Sequence, residues 1–139
     1  MKYELALAFA LFFVFIASVS AQAYVPSEGE FAYVEVENYT LHDINFTVPT
    51  DFGLLDSGDD FLDFAHGKEK LKISAVKNAK IKKVKSTKKV KSSKTMLGSQ
   101  DGYLVDRNGS YAFSYYEGNY LVTIKSKNIP LMIGVMGKG

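Results

Sequence analysis

Cysteine is absent from all 139 residues, which removes disulfide staples, thiolate metal ligands, thiol nucleophiles and a lipid-modified N-terminal Cys. Stability must therefore come from packing. Histidine is almost absent as well: only His42 and His66 occur, in different segments, and neither stands in a metal-ligand spacing such as His-Glu-x-x-His. There is no Gly-x-Ser-x-Gly elbow, and the Ser-x-x-Lys match at Ser86-Thr-Lys-Lys89 is only part of a lysine tract. Paired carboxylates could in principle hydrolyse glycosides, yet a chain this small rarely frames the cleft they need. The expectation is a protein that is not an enzyme, with no cofactor and no metal.

After Lys2, positive charge is missing from the first half. Residues 3–67 contain no Lys or Arg, while ten acids lie between Glu28 and Asp63. The sign then reverses, and residues 68–94 carry twelve lysines against the single Glu69. The densest part is Lys77, Lys80, Lys82, Lys83, Lys85, Lys88, Lys89, Lys91 and Lys94, nine lysines in eighteen residues. Such charges repel one another, favour an extended or solvated segment, and attract a polyanion. Residues 77–94 hold neither Arg nor an aromatic ring. Base-edge reading and base stacking need those groups, so sequence-specific nucleic-acid binding is not expected. An anionic cell-envelope polymer or a layer of lipid headgroups remains. The tract could equally be a solvated loop, a lysine-guarded edge strand, or the internal partner of the acidic first third.

At the N-terminus, residues 5–19 run without charge after Lys2, and Ser20-Ala21-Gln22-Ala23 follows where a stop-transfer cluster would stand. Residues 1–23 read as a signal peptide, cut after Ala21 or Ala23, or else as an uncleaved signal-anchor that would be the sole membrane attachment. Either form places residues 24–139 outside the cytoplasm, secreted or at the cell surface, as a single domain containing the Lys-rich segment 68–94. Three Asn-x-Ser/Thr sequons, at Asn38, Asn45 and Asn108, are candidate glycosylation sites, with Asn108 best placed because it falls in a turn. Asp56, Asp59, Asp60 and Asp63 cluster, but their spacing is not that of a calcium loop and reads as an acidic surface.

Patterning is mostly that of antiparallel strand. Tyr33-Val-Glu-Val-Glu37, Ile44-Asn-Phe-Thr-Val48 and Leu71-Lys-Ile-Ser-Ala-Val76 alternate apolar and polar side chains, which puts one face on a core. Residues 103–105, 110–116 and 120–127 form a C-terminal meander, joined by Asn108-Gly109 and by Glu117-Gly-Asn119. Tyr111, Phe113 and Tyr115 share one face and are expected to pack the core. Residues 129–136 close the chain as a short helix or last strand, and another short helix is expected at residues 61–66 or within the lysine tract. The fold class is therefore α+β, a mainly antiparallel sheet with one or two short helices.

Ile44-Asn-Phe-Thr-Val-Pro-Thr-Asp-Phe52, Gly102-Tyr-Leu-Val and Gly109-Ser-Tyr-Ala-Phe-Ser-Tyr-Tyr-Glu-Gly-Asn-Tyr-Leu-Val-Thr-Ile124 resemble uncharacterised small exported β-rich domains of methanogenic archaea. The resemblance spans residues 44–133. It implies an envelope setting and a β-rich sheet, and no activity. The lysine tract departs from that pattern. Taken together, the expected role is a secreted or cell-surface module docking on anionic envelope polymers, the alternative being a protein-interaction or oligomerisation module whose lysines only solubilise it.

Overall fold

The computed structural model describes residues 21–27 and 30–136. The signal-like residues 1–20 lie outside the described part, and both expected cleavage points fall within the first strand, β1 (Ala21–Ser27). β1 pairs with β2 (Glu30–Leu41), which pairs in turn with β3 (Ile44–Pro49), giving a three-stranded antiparallel sheet. Pro49, lacking a donor, ends β3. The β2–β3 turn is His42-Asp43, and both residues take positive φ (51° and 69°), the backbone that a two-residue hairpin turn demands.

A second, seven-stranded antiparallel sheet has the order β4-β5-β6-β10-β9-β8-β7. Its strands are β4 (Gly53–Ser57), β5 (Phe61–His66), β6 (Glu69–Lys77), β7 (Val90–Leu97), β8 (Gln100–Arg107), β9 (Ser110–Glu117) and β10 (Tyr120–Ser126). Two meanders, β4 to β6 and β7 to β10, thus meet side by side at β6 and β10. The expected three-strand meander is present and has a fourth strand, β7, on its outer edge. Asn108 (φ 56°) and Gly109 (φ 90°) make the β8–β9 turn, and Gly118 (φ 60°) the β9–β10 turn, as their residue types require.

The single helix among the described residues is α1 (Ile129–Met136). Asn128 caps it: the Leu131 amide donates to Asn128 Oδ1 at 3.1 Å, satisfying one of the orphan donors of the first turn. Leu131, Met132, Val135 and Met136 are buried and pack the helix against β1, β3 and β10, so it joins the two sheets. Burying four such side chains contributes roughly 6 to 12 kcal/mol gross. One core cluster runs through both sheets and the helix, with Phe46, Phe64, Ile73, Phe113, Ile124 and Met132 fully enclosed.

Two expectations fail. Residues 61–66 are strand β5, because Leu62 and Phe64 point to the core at period two while Phe61, Asp63 and Ala65 point away. Nor does the lysine tract contain a helix: residues 78–89 cross the sheet without regular structure and residues 90–97 form β7. Lysines three and four apart on a helix would face one another and repel, and the interspersed Val and Thr favour extension.

Candidate anion-binding face

The core and the three-stranded sheet occupy one face of the seven-stranded sheet. Its other face carries the chemistry. Residues 78–89 leave the end of β6 and cross that face to reach β7 at the sheet edge, acting as a strap. At the start, the Asn78 amide donates to the Asn119 carbonyl at 2.7 Å. Next, the Ile81 amide donates to the Tyr116 hydroxyl at 3.0 Å. The Val84 amide then donates to the Tyr103 hydroxyl at 2.9 Å, and that hydroxyl donates back to the Val84 carbonyl at 3.1 Å. Ser92 adds a hydrogen bond from its own hydroxyl to the Val84 carbonyl at 2.5 Å. At the far end, the Thr87 amide donates to the Val90 carbonyl and the Val90 amide to Thr87 Oγ1, closing a turn into β7.

These anchors sort the strap by polarity. Ala79, Ile81 and Val84 are half-buried beneath it, whereas Lys80, Lys82, Lys83, Lys85, Lys88 and Lys89 are all exposed. Tyr103 lies under the strap and is buried. Hydrogen bonds from Ser92 and from the Val84 backbone, with a smaller contribution from the charge of Lys83, hold its phenol below the ordinary tyrosine value. The strap does not fold against the acidic first third: among the described residues, the one close contact between a basic side chain and a carboxylate joins His42 to Asp60.

The nine lysines singled out by composition are therefore not all together. Six ride on the strap. Lys77 ends β6, and Lys94, opposite Tyr103 on β7, points to the same side as the strap. Lys91 pairs with Asp106 and points to the opposite side, because strand neighbours alternate. β7 is an edge strand, so Lys91 and Lys94 also guard it against edge pairing.

A second group of cations lies on this face. Lys72 on β6 lies directly across from Lys125 on β10, which lies across from Ala112 on β9. Lys70 stands one step farther along β6, Lys127 directly follows β10, and Arg107 ends β8. Small side chains, Ser110 and Ala112, lie between these cations and leave a groove of about 750 Å³. Asp56 and Asp63 line its end at β4 and β5. The pattern was readable only in part, since Lys70 and Lys72 sit in the tract but Lys125, Lys127 and Arg107 are isolated in sequence.

Asn38 and Asn45 are exposed and share the outward face of the three-stranded sheet, where the Thr40 hydroxyl donates to Asn45 Oδ1 at 2.9 Å. Asn108 is exposed in its turn. The four clustered aspartates do not converge, and among the described residues no group of three or more His, Cys, Asp or Glu could hold a metal. Both histidines have packing partners. His42 Nε2 lies 2.6 Å from Asp60 Oδ1 and its ring stacks on Tyr120 at 4.6 Å, pinning the tip of the small sheet to the large one. His66 meets Phe52 edge-on at 5.5 Å. No helix among the described residues is long and apolar enough to cross a membrane. No family model, curated protein or solved structure matches this chain.

Proposed function

We propose that the protein is a non-enzymatic module, exported from the cytoplasm, that docks on an anionic polymer of the cell envelope through its lysine strap. The observation that carries this reading is the strap itself: six exposed lysines, none paired with a described carboxylate, on a segment held at fixed points by Tyr116 and Tyr103. Anchoring lowers the entropy that a free lysine tail would lose on binding, and the unpaired ammonium groups can exchange their counterions for a polyanion. Arginine forks and exposed rings are missing from the strap, which favours charge density over sequence reading. The test is sedimentation with isolated envelopes at low and high salt. Binding should be lost in high salt and in a variant with Lys82, Lys83, Lys85 and Lys88 all changed to Gln. Binding that survives both conditions overturns the reading.

A second reading, protein interaction by strand addition, is favoured by the far edge of the large sheet. There β4 carries no lysine and leaves Leu54 44 % and Leu55 64 % exposed, although a bulge between Leu54 and Asp56 interrupts its register. Sedimentation velocity distinguishes the two: a concentration-dependent oligomer that Leu55→Lys dissolves would support it.

A further inference from the structure

The cations of the groove are arranged for a ligand of different shape from the one a strap alone would select. Lys72 and Lys125 are cross-strand neighbours in register, a placement in which like charges about 5 Å apart at Cβ destabilise a sheet. Asp63 is in register with Lys72 on the other side, yet no ion pair forms between them among the described residues. Lys70 stands two residues from Lys72 on β6, about 7 Å farther on, and Lys127 follows just after the end of β10; both line the same groove. The fold thus accumulates six cations, Lys68, Lys70, Lys72, Lys125, Lys127 and Arg107, against two carboxylates in one groove. Lys72 Nζ lies over the Phe61 ring at 5.3 Å, and among the described residues none of the six is in an ion pair.

We infer that this groove binds a single strand of a linear carboxylated polysaccharide, laid over Ser110 and Ala112 with its carboxylates between the β6–β10 lysines and Arg107. The inference rests on the docking reading above and names the polymer class and the second contact. Three features select this ligand. The groove is concave, about 750 Å³, so a polymer strand can reach its floor while a flat headgroup layer would meet only the strap. Its floor includes apolar surface from Val105 and Ala112, which suits the C–H faces of sugar rings. Arg107, the one arginine of the chain, offers the planar fork that matches a carboxylate. Nucleic acid is disfavoured because base stacking needs exposed rings, and the aromatic residues of the groove, Phe64 and Tyr111, are buried and half-buried. The acids at the β4–β5 end repel the chain there and set its path toward β8.

The test is calorimetric titration of the full mature chain with oligogalacturonates of defined length, beside neutral malto-oligosaccharides, anionic phosphatidylglycerol vesicles and oligothymidylate. Three variants are compared: Lys70→Gln/Lys125→Gln/Lys127→Gln in the groove, Arg107→Lys alone, and the strap variant already described. Circular dichroism and the unfolding midpoint verify folding, and Arg107→Lys preserves charge should the triple variant misfold. Short oligogalacturonates should weaken at least tenfold with the groove variant, three- to tenfold with Arg107→Lys, and less than threefold with the strap variant. Long polymer should respond to both groups of lysines. If the strap variant alone loses binding, the groove inference falls while the docking reading stands. If no variant alters binding, or none is detected, the groove inference falls, and the docking reading stands or falls on the envelope sedimentation. Tighter groove-dependent binding of vesicles or oligothymidylate overturns the polysaccharide assignment.

Discussion

Replacing Tyr103 by Phe deletes one hydroxyl and, with it, the midpoint anchor of the strap. In the native chain that oxygen accepts the Val84 amide at 2.9 Å and donates to the Val84 carbonyl at 3.1 Å. Each bond contributes roughly 0.5 to 1.5 kcal/mol net. The carbonyl keeps its bond from Ser92, and the freed amide can be hydrated when the strap lifts, so the expected loss is about 1 to 2 kcal/mol. The ring itself stays, and with it the packing under the strap. The loss is therefore local. A change of about 1.4 kcal/mol is tenfold in an equilibrium, and native-state hydrogen exchange reads such local openings. The Val84 amide should exchange roughly 5- to 30-fold faster in Tyr103→Phe, while the amides of Val122 and Ile124 in the central strand β10 stay within about twofold. Tyr116→Phe should act in the same way on Ile81 alone. An unchanged Val84 amide, or equal acceleration at Val84 and in β10, would refute the anchoring argument.

Three further outcomes follow from the packing. A Cβ at Gly102 would sit 2.4 Å from the Ser114 carbonyl oxygen and 2.5 Å from the Phe113 ring; Gly102→Ala should lower stability by about 1 to 3 kcal/mol in urea unfolding, as overpacking does. Tyr115 is buried, and that burial, helped by the charge of Glu117, raises its phenol well above the ordinary value. Its folded-state proton is retained while the unfolded chain loses its own near pH 10, so the stabilisation is complete below that pH. Above it, stability should fall by about 1.4 kcal/mol per pH unit, and Tyr115→Phe should remove that share of the slope in urea unfolding from pH 9.5 to 11. His42→Ala breaks both the contact with Asp60 and the stack on Tyr120; a loss of about 1 to 2 kcal/mol is expected from a side-chain hydrogen bond plus a ring pair, measured as a drop in the urea midpoint.

The strands and turns of the C-terminal half were legible because their signals are local. Alternation along Ser110-Tyr-Ala-Phe-Ser-Tyr-Tyr assigned Phe113 and Tyr115 to the core, where both are buried, and Asn108-Gly109 requires positive φ wherever it is placed. Residues 61–66 misled for a related reason: six residues are too few to separate the two periods, and pairing with β4 and β6 decided in favour of strand. His42 carried no signal at all. Its partners Asp60 and Tyr120 come from other hairpins, and only the docking of the two sheets brings them together.

Charge shows the same division. Composition alone determined that residues 68–94 are strongly basic, that no thiol chemistry is available, and that the acids and lysines are segregated along the chain. Which lysines face together was a matter of topology. Because β6 connects to β7 across β10, β9 and β8, residues 78–89 must pass over one face of the sheet, and their Ile81 and Val84 turn inward while the lysines turn out. Because β6 and β10 are neighbours, Lys72 meets Lys125. Side-chain period can be read from one strand, but strand order sets who stands opposite whom, and strand order is decided by the burial of the whole core rather than by any one segment.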